Sequence, residues 1–134
     1  MRRPEEPPMI ALRVHHISFA VSDLAAAQRF YEGVLGLETI PRPELGIPGI
    51  WYGAGGSEVH LIQTPPGVDL GVRPRGGISP MANHQAFAIE DYGKVRDALR
   101  AKGVEILETS PERGQMWIRD PDGNVIELIA PRSG

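Results

Sequence analysis

The chain has 134 residues, enough for one ordinary domain around one core and too few for two. Hydrophobic residues make up 41%, which predicts a packed globular fold rather than disorder. A net charge of −3 gives no electrostatic footprint for nucleic acid, and the absence of cysteine removes disulfides and thiolate metal sites. His, Asp and Glu are then the strong ligand types left to the chain.

Read from the N-terminus, MRRPEEPPMI is charged and proline-rich. It lacks the apolar h-region of a secretory signal and the run of roughly 20 apolar residues that a membrane span needs. Residues 1–12 therefore read as a loose tail, and the expected location is the cytoplasm, away from membranes. A strand is predicted over 13–21, where Ile17, Phe19 and Val21 alternate with His16, Ser18 and Ala20. Ser22 and Asp23 supply an N-cap pair, and Leu24, Ala27, Phe30, Tyr31 and Val34 have helical spacing up to Leu35, with Gly36 as the stop. Short strands follow near 37–40, 49–53 and 58–63, broken by Pro41, Pro43, Gly55 and Gly56. The Pro- and Gly-rich stretch from 64 to 82 reads as a linker. Then come a strand at 84–90, a helix from Tyr92 to Ala101 with Gly103 as stop, and strands near 104–108, 114–119 and 124–130.

The order β-α-β-β-β thus occurs twice, and the residues repeat with it. VHHISFAVSDL at 14–24 aligns with ANHQAFAIEDY at 82–92, offset by 68, so that His16 meets His84 and Phe19 meets Phe87. WYGAGGSEVHLI at 51–62 aligns with IRDPDGNVIELI at 118–129, offset by 67, which sets His60 opposite Glu127. Two copies of a motif of roughly 65 residues imply a paired, pseudo-symmetric fold rather than a solenoid. The expectation is an α+β domain over 13–131. Its modules span about 13–63 and 83–131, and their two sheets curve around a cleft.

His16 and His84 share their strand faces with small residues: Ser18 and Ala20 in one, Ala86 and Ala88 in the other. That leaves room for a ligand or ion. Glu127 within NVIELIA is costly if buried without a compensating charge. A pseudo-two-fold axis through the cleft would gather His16, His60, His84 and Glu127, within one chain or across two. Three imidazoles and a carboxylate suit one divalent Zn, Fe, Mn, Co or Ni ion. Glu127 is also the predicted main base, with His60 as the opposing acid or base. By alternation His15 points away from His16 and is no ligand, Trp51 and Trp117 read as packing residues, and Asp120-Pro-Asp-Gly123 reads as a turn.

The opening VHHISFAVSDLAAAQRFYEGVLGL and the closing DPDGNVIELI resemble the vicinal oxygen chelate superfamily, over roughly residues 13–131. The resemblance implies paired βαβββ modules, a metal, a small-molecule substrate and a homodimer. It also matches His16 and His84 to the first-strand ligands and Glu127 to the last-strand glutamate. His60 stands where glyoxalase I has a glutamate and methylmalonyl-CoA epimerase a glutamine. The function implied is a metal-dependent isomerase, epimerase or lyase acting on vicinal oxygens. A small extradiol-type dioxygenase and a non-catalytic ligand-binding or antibiotic-resistance protein are the alternatives.

Overall fold

The computed structural model describes residues 6–71, 73–74 and 76–131. The first module comprises β1 (His16–Val21), α1 (Leu24–Gly33), β2 (Glu38–Ile40), β3 (Gly49–Ala54) and β4 (Ser57–Gln63). The second comprises β5 (His84–Ala88), α2 (Tyr92–Ala101), β6 (Leu107–Ser110), a 3-10 turn (Pro111–Arg113), β7 (Gln115–Arg119) and β8 (Val125–Ile129). Each module makes one four-stranded sheet, ordered β1-β4-β3-β2 and β5-β8-β7-β6, in which the first strand pairs parallel to the last. The predicted duplication is therefore the architecture: an α+β fold of two equivalent curved sheets, neither closed into a barrel. Among the described residues no helix is long and apolar enough to cross a membrane.

Both helices begin where an aspartate can satisfy their free N–H groups. Asp23 Oδ1 accepts from the amides of Ala25 and Ala26, and Asp91 Oδ1 from that of Lys94. Ser22, expected to share the cap, serves elsewhere: its amide and hydroxyl both donate to Asp122 of the second module. Helix α1 ends at Gly33, two residues short of the expected Leu35, and Gly36 takes its left-handed φ of 73° after the last turn. Helix α2 has the expected bounds. It closes with Gly103 at φ 75° and the amide of Val104 bonded to the carbonyl of Leu99, a Schellman exit. That exit also corrects the predicted strand at 104–108. Val104 and Ile106 spend their apolar side chains on the core while the chain leaves the helix, and strand pairing begins only at Leu107.

The alternation in β1 divides as expected. Phe19 and Val21 are buried, whereas His16 and Ser18 are exposed on the other face. The core runs unbroken through both modules, joining Phe30, Tyr31, Tyr52 and Leu61 to Leu99, Met116, Ile118 and Ile126. Each such large apolar side chain contributes about 1.5–3 kcal/mol when removed from water. Polar groups also cross the junction. The fully buried Tyr31 donates its hydroxyl to Asp120 Oδ2 at 2.7 Å, and Lys102 Nζ reaches the carbonyl of Gly33 at 2.7 Å. Asp120 additionally accepts from the amides of Asp122 and Asn124 and from the Asn124 side chain. The Asp-Pro-Asp-Gly segment is thus a turn, as expected, and also the place where the modules are tied together. Burial, and then the neighbouring Asp120 carboxylate, push the Tyr31 phenol well above its usual range.

Candidate metal centre

Parallel pairing of β1 with β4 sets Ser18 opposite His60, and pairing of β5 with β8 sets Ala86 opposite Glu127. A histidine from the first strand then stands beside the last-strand residue in each module. Tryptophan completes both arrangements, because β3 places Trp51 opposite His60 and β7 places Trp117 opposite Glu127. Cross-strand partners share a face, so the tryptophans line the same surface as the candidate ligands. Sequence reasoning read them as packing residues. The visible signal was a similar, though not equal, spacing: Trp51 stands nine residues before His60 and Trp117 ten before Glu127.

In the second module, His84 Nδ1 donates to the carbonyl of Ala82 at 2.8 Å. A neutral imidazole then carries its lone pair on Nε2, which lies 3.3 Å from Glu127 Oε1. Two lone-pair atoms facing each other at that distance require a cation between them or a proton on Nε2. The separation is compatible with two donors bound at ~2.1 Å to one ion. Glu127 is buried, and its Oε2 accepts from Gln115 Nε2 at 2.9 Å, which fixes the carboxylate. Trp117 meets the His84 ring edge-on and donates its indole N–H to Thr109 Oγ1. A histidine held through Nδ1 by a backbone carbonyl, next to an oriented carboxylate, has the donor chemistry of a metal site.

The first module is arranged differently. The buried His60 ring is sandwiched between Trp51 and His16, at centroid distances of 4.2 and 4.0 Å and interplanar angles of 6° and 16°. His60 Nε2 donates to Glu58 Oε1 at 2.9 Å, so Nδ1 is the nitrogen left with a lone pair. That hydrogen bond holds the Glu58 carboxyl below its ordinary range. Stacked rings aim their in-plane lone pairs past each other, so a common ion requires one of them to turn. Slight burial, reinforced by the nearby His60 and His15, lowers the pKa of His16 and favours its neutral, ligating form. His15 does not point away. It precedes the first paired residue of β1, where strict alternation does not yet hold, and its Nδ1 lies 3.0 Å from His16 Nδ1.

The four candidate residues therefore occur as two pairs, His16 with His60 and His84 with Glu127. Among the described residues no group of three or more His, Asp or Glu side chains is arranged to hold a metal ion within one chain. A cavity of about 470 Å³ lies elsewhere, between the ends of the two helices and β5, and is lined by Val34, Leu35, Phe87, Ile89 and Leu99, among others.

Residues 13–128 match the family model of the Glyoxalase/Bleomycin resistance protein/Dioxygenase superfamily. The chain belongs to that superfamily. Among its relatives, Glyoxylase I 4 of Arabidopsis thaliana is 30% identical, aligned over 96% of this chain and 76% of that protein. The lactoylglutathione lyase of Haemophilus influenzae is also 30% identical, over 91% of this chain and 95% of its own length. TnmS3, an antibiotic binding protein from Streptomyces sp. CB03234, superposes with a TM-score of 0.69 at 25% identity, covering 92% of this chain and 99% of that one. Enzymes and a binding protein thus share this superfamily fold, so fold alone does not select between turnover and capture.

Proposed function

We propose that the protein is a metal-dependent isomerase, epimerase or lyase of the glyoxalase type, acting on a small substrate with vicinal oxygens. His16, His60, His84 and Glu127 would hold one divalent Zn, Fe, Mn, Co or Ni ion. The carrying observation is the His84 Nε2 lone pair set 3.3 Å from the Glu127 carboxylate, an arrangement that a cation resolves. His16 and His84 are exposed on open sheet faces, which supports a homodimer in which the His16–His60 pair of one copy faces the His84–Glu127 pair of the other.

A bound ion would supply Lewis acidity toward two substrate oxygens and stabilise enolate charge. The remaining work falls to the chain. Glu127, held at Oε2 by Gln115, would take a proton from carbon beside a carbonyl through Oε1 once substrate oxygens have displaced that oxygen from the ion, because a carboxylate still bound to a cation is a weak base. His60 would face the substrate from the opposite module and return a proton to that carbon, the two residues exchanging roles for the opposite epimer. Trp51 and Trp117 exclude water from the two walls.

A second reading draws on a specific observation. His60 already spends Nε2 on Glu58 and is stacked on both ring faces. If it stays off the ion, His16, His84 and Glu127 form a two-histidine, one-carboxylate set, which suits iron and oxygen chemistry.

The test begins with metal content by mass spectrometry after dialysis, on the wild type and on His84→Ala and Glu127→Gln. Unchanged stoichiometry in both variants overturns the ligand assignment. Turnover of hemithioacetals and acyl-CoA epimers supports the first reading, and oxygen uptake with catechols under Fe(II) supports the second. Glu127→Gln should keep part of the metal through the histidines yet lose about 10²- to 10⁴-fold in turnover. His60→Gln should be milder.

A further inference from the structure

We propose that the cavity between β1 and β8 is an anion subsite, in which Arg73, Ser18 and Asn83 take a carboxylate or phosphate group of a small ligand. The cavity measures about 310 Å³ and is lined by Ser18, Ala20, Arg73, Asn83, Asn124 and Val125, among others. Among the described residues Arg73 is the one charged residue of the lining, and no carboxylate joins it. At ~30 Å³ per water-sized group, the space takes a fragment of roughly ten non-hydrogen atoms.

Arg73 reaches this position from the segment between the modules, and two hydrogen bonds fix its guanidinium. Nε donates to Asn124 Oδ1 at 2.9 Å, and Nη2 donates to the Ala20 carbonyl at 3.1 Å. Among the described residues neither bond involves an ionised acceptor, and no hydrogen bond engages Nη1. The part-buried cation is therefore oriented but not neutralised by direct pairing. The nearby acids are committed elsewhere: Asp120 to Tyr31 and the turn, Asp122 to Ser22. A planar fork with donors to spare is what recognises carboxylate or phosphate. Ser18 contributes a hydroxyl and Asn83 an amide, both from exposed positions of the lining.

The location gives the subsite its meaning. Val125 precedes Glu127 by two residues on the same face of β8, and Asn83 immediately precedes His84. Two residues along a strand span ~7 Å. An anionic group on Arg73 would thus lie about one small molecule's length from the His84–Glu127 pair. Resting on the function proposed above, this narrows the substrate class to small acids: a carboxylate or phosphate ester at one end, vicinal oxygens at the other.

Calorimetric titration of chelator-treated full-length protein at low ionic strength tests the subsite without any metal. Inorganic phosphate and pyruvate are the probes, which separates the two anion types, and chloride is the control. Saturable binding of either is expected, weakened at least about tenfold in Arg73→Gln, less in Arg73→Lys, and not in the remote Arg96→Gln. Arg73 also fastens the chain, so Asn83→Asp provides a variant that spares its hydrogen bonds. Its new carboxylate should pair with Arg73, abolish anion binding and leave the ligand-free melting temperature no lower than that of the wild type. No saturable binding, or wild-type binding in both Arg73→Gln and Asn83→Asp, overturns the subsite. If anions bind but dialysed protein takes up no metal, the subsite stands and the proposed metal chemistry alone fails.

Discussion

Replacing Tyr31 with phenylalanine removes one oxygen from the junction of the modules. The hydroxyl lies in a fully buried residue and donates at 2.7 Å to Asp120, itself 4% exposed. A hydrogen bond to a charged acceptor contributes about 1.5–3 kcal/mol. Asp120 keeps its donors from Asp122 and Asn124, so the carboxylate is not stranded and the loss should stay near 2 kcal/mol. Asp120→Ala is harsher. It leaves the buried Tyr31 hydroxyl and the turn amides without their acceptor, for a loss of about 4 kcal/mol, a large part of the ~5–15 kcal/mol that holds an ordinary domain folded. Because the hydroxyl serves only through Asp120, the double variant should be less destabilised than the sum, with a coupling of about 1–2 kcal/mol. Urea unfolding followed by circular dichroism and tryptophan fluorescence measures all four proteins. Strict additivity, or a Tyr31→Phe loss below about 0.5 kcal/mol, would refute the view that this bond ties the modules together.

Alkaline titration offers an independent check, since the chain has three tyrosines and all are raised, Tyr92 to about 12 by burial and then by its bond to Glu108. A raised folded pKa means that the unfolded chain releases its proton first, so this stability is complete below about pH 10 and is lost as pH climbs through 12. Tyrosinate absorbance should stay low in native protein at pH 10.5 and rise together with the loss of far-ultraviolet dichroism; ordinary titration near pH 10 in a still-folded protein would contradict it. Gly114→Ala should cost at least about 2 kcal/mol, because φ is 76° there and an added Cβ would meet the Ala130 carbonyl oxygen at 2.6 Å; a melting temperature within a degree of wild type would count against this. Lys102→Ala removes only an exposed cross-module bond to Gly33, so its loss should be below about 1 kcal/mol in the same urea assay.

The duplicated order of elements was readable because each unit carries the same local instructions. Asp23 and Asp91 start the helices, Gly36 and Gly103 follow their ends, and period-two alternation marks β1. What failed to show was whatever depends on residues distant in sequence. The run after Gly103 alternates like a strand, yet its apolar side chains serve the helix exit. Ser22 looked like a cap and instead bonds Asp122, a hundred residues away. For the site, the repeat established that His16 corresponds to His84 and His60 to Glu127, but correspondence is not distance. Pseudo-symmetry is satisfied equally by four ligands at one point and by the two pairs seen within this chain. Arg73 was invisible for a related reason: its acceptors, Ala20 and Asn124, belong to opposite modules.

The tryptophan beside the last-strand residue in both halves has a consequence for how such a cleft diversifies. The two modules repeat one plan, and here their walls differ chemically beside the tryptophan, where the last-strand residue is histidine in one and glutamate in the other. A pocket with two identical walls could not distinguish a bound molecule from the same molecule turned end for end. Making the walls unequal gives the pocket a direction, so that left and right become different places to a substrate. The scaffold can thereby acquire a direction through side chains alone, while the backbone that carries them remains a duplicate.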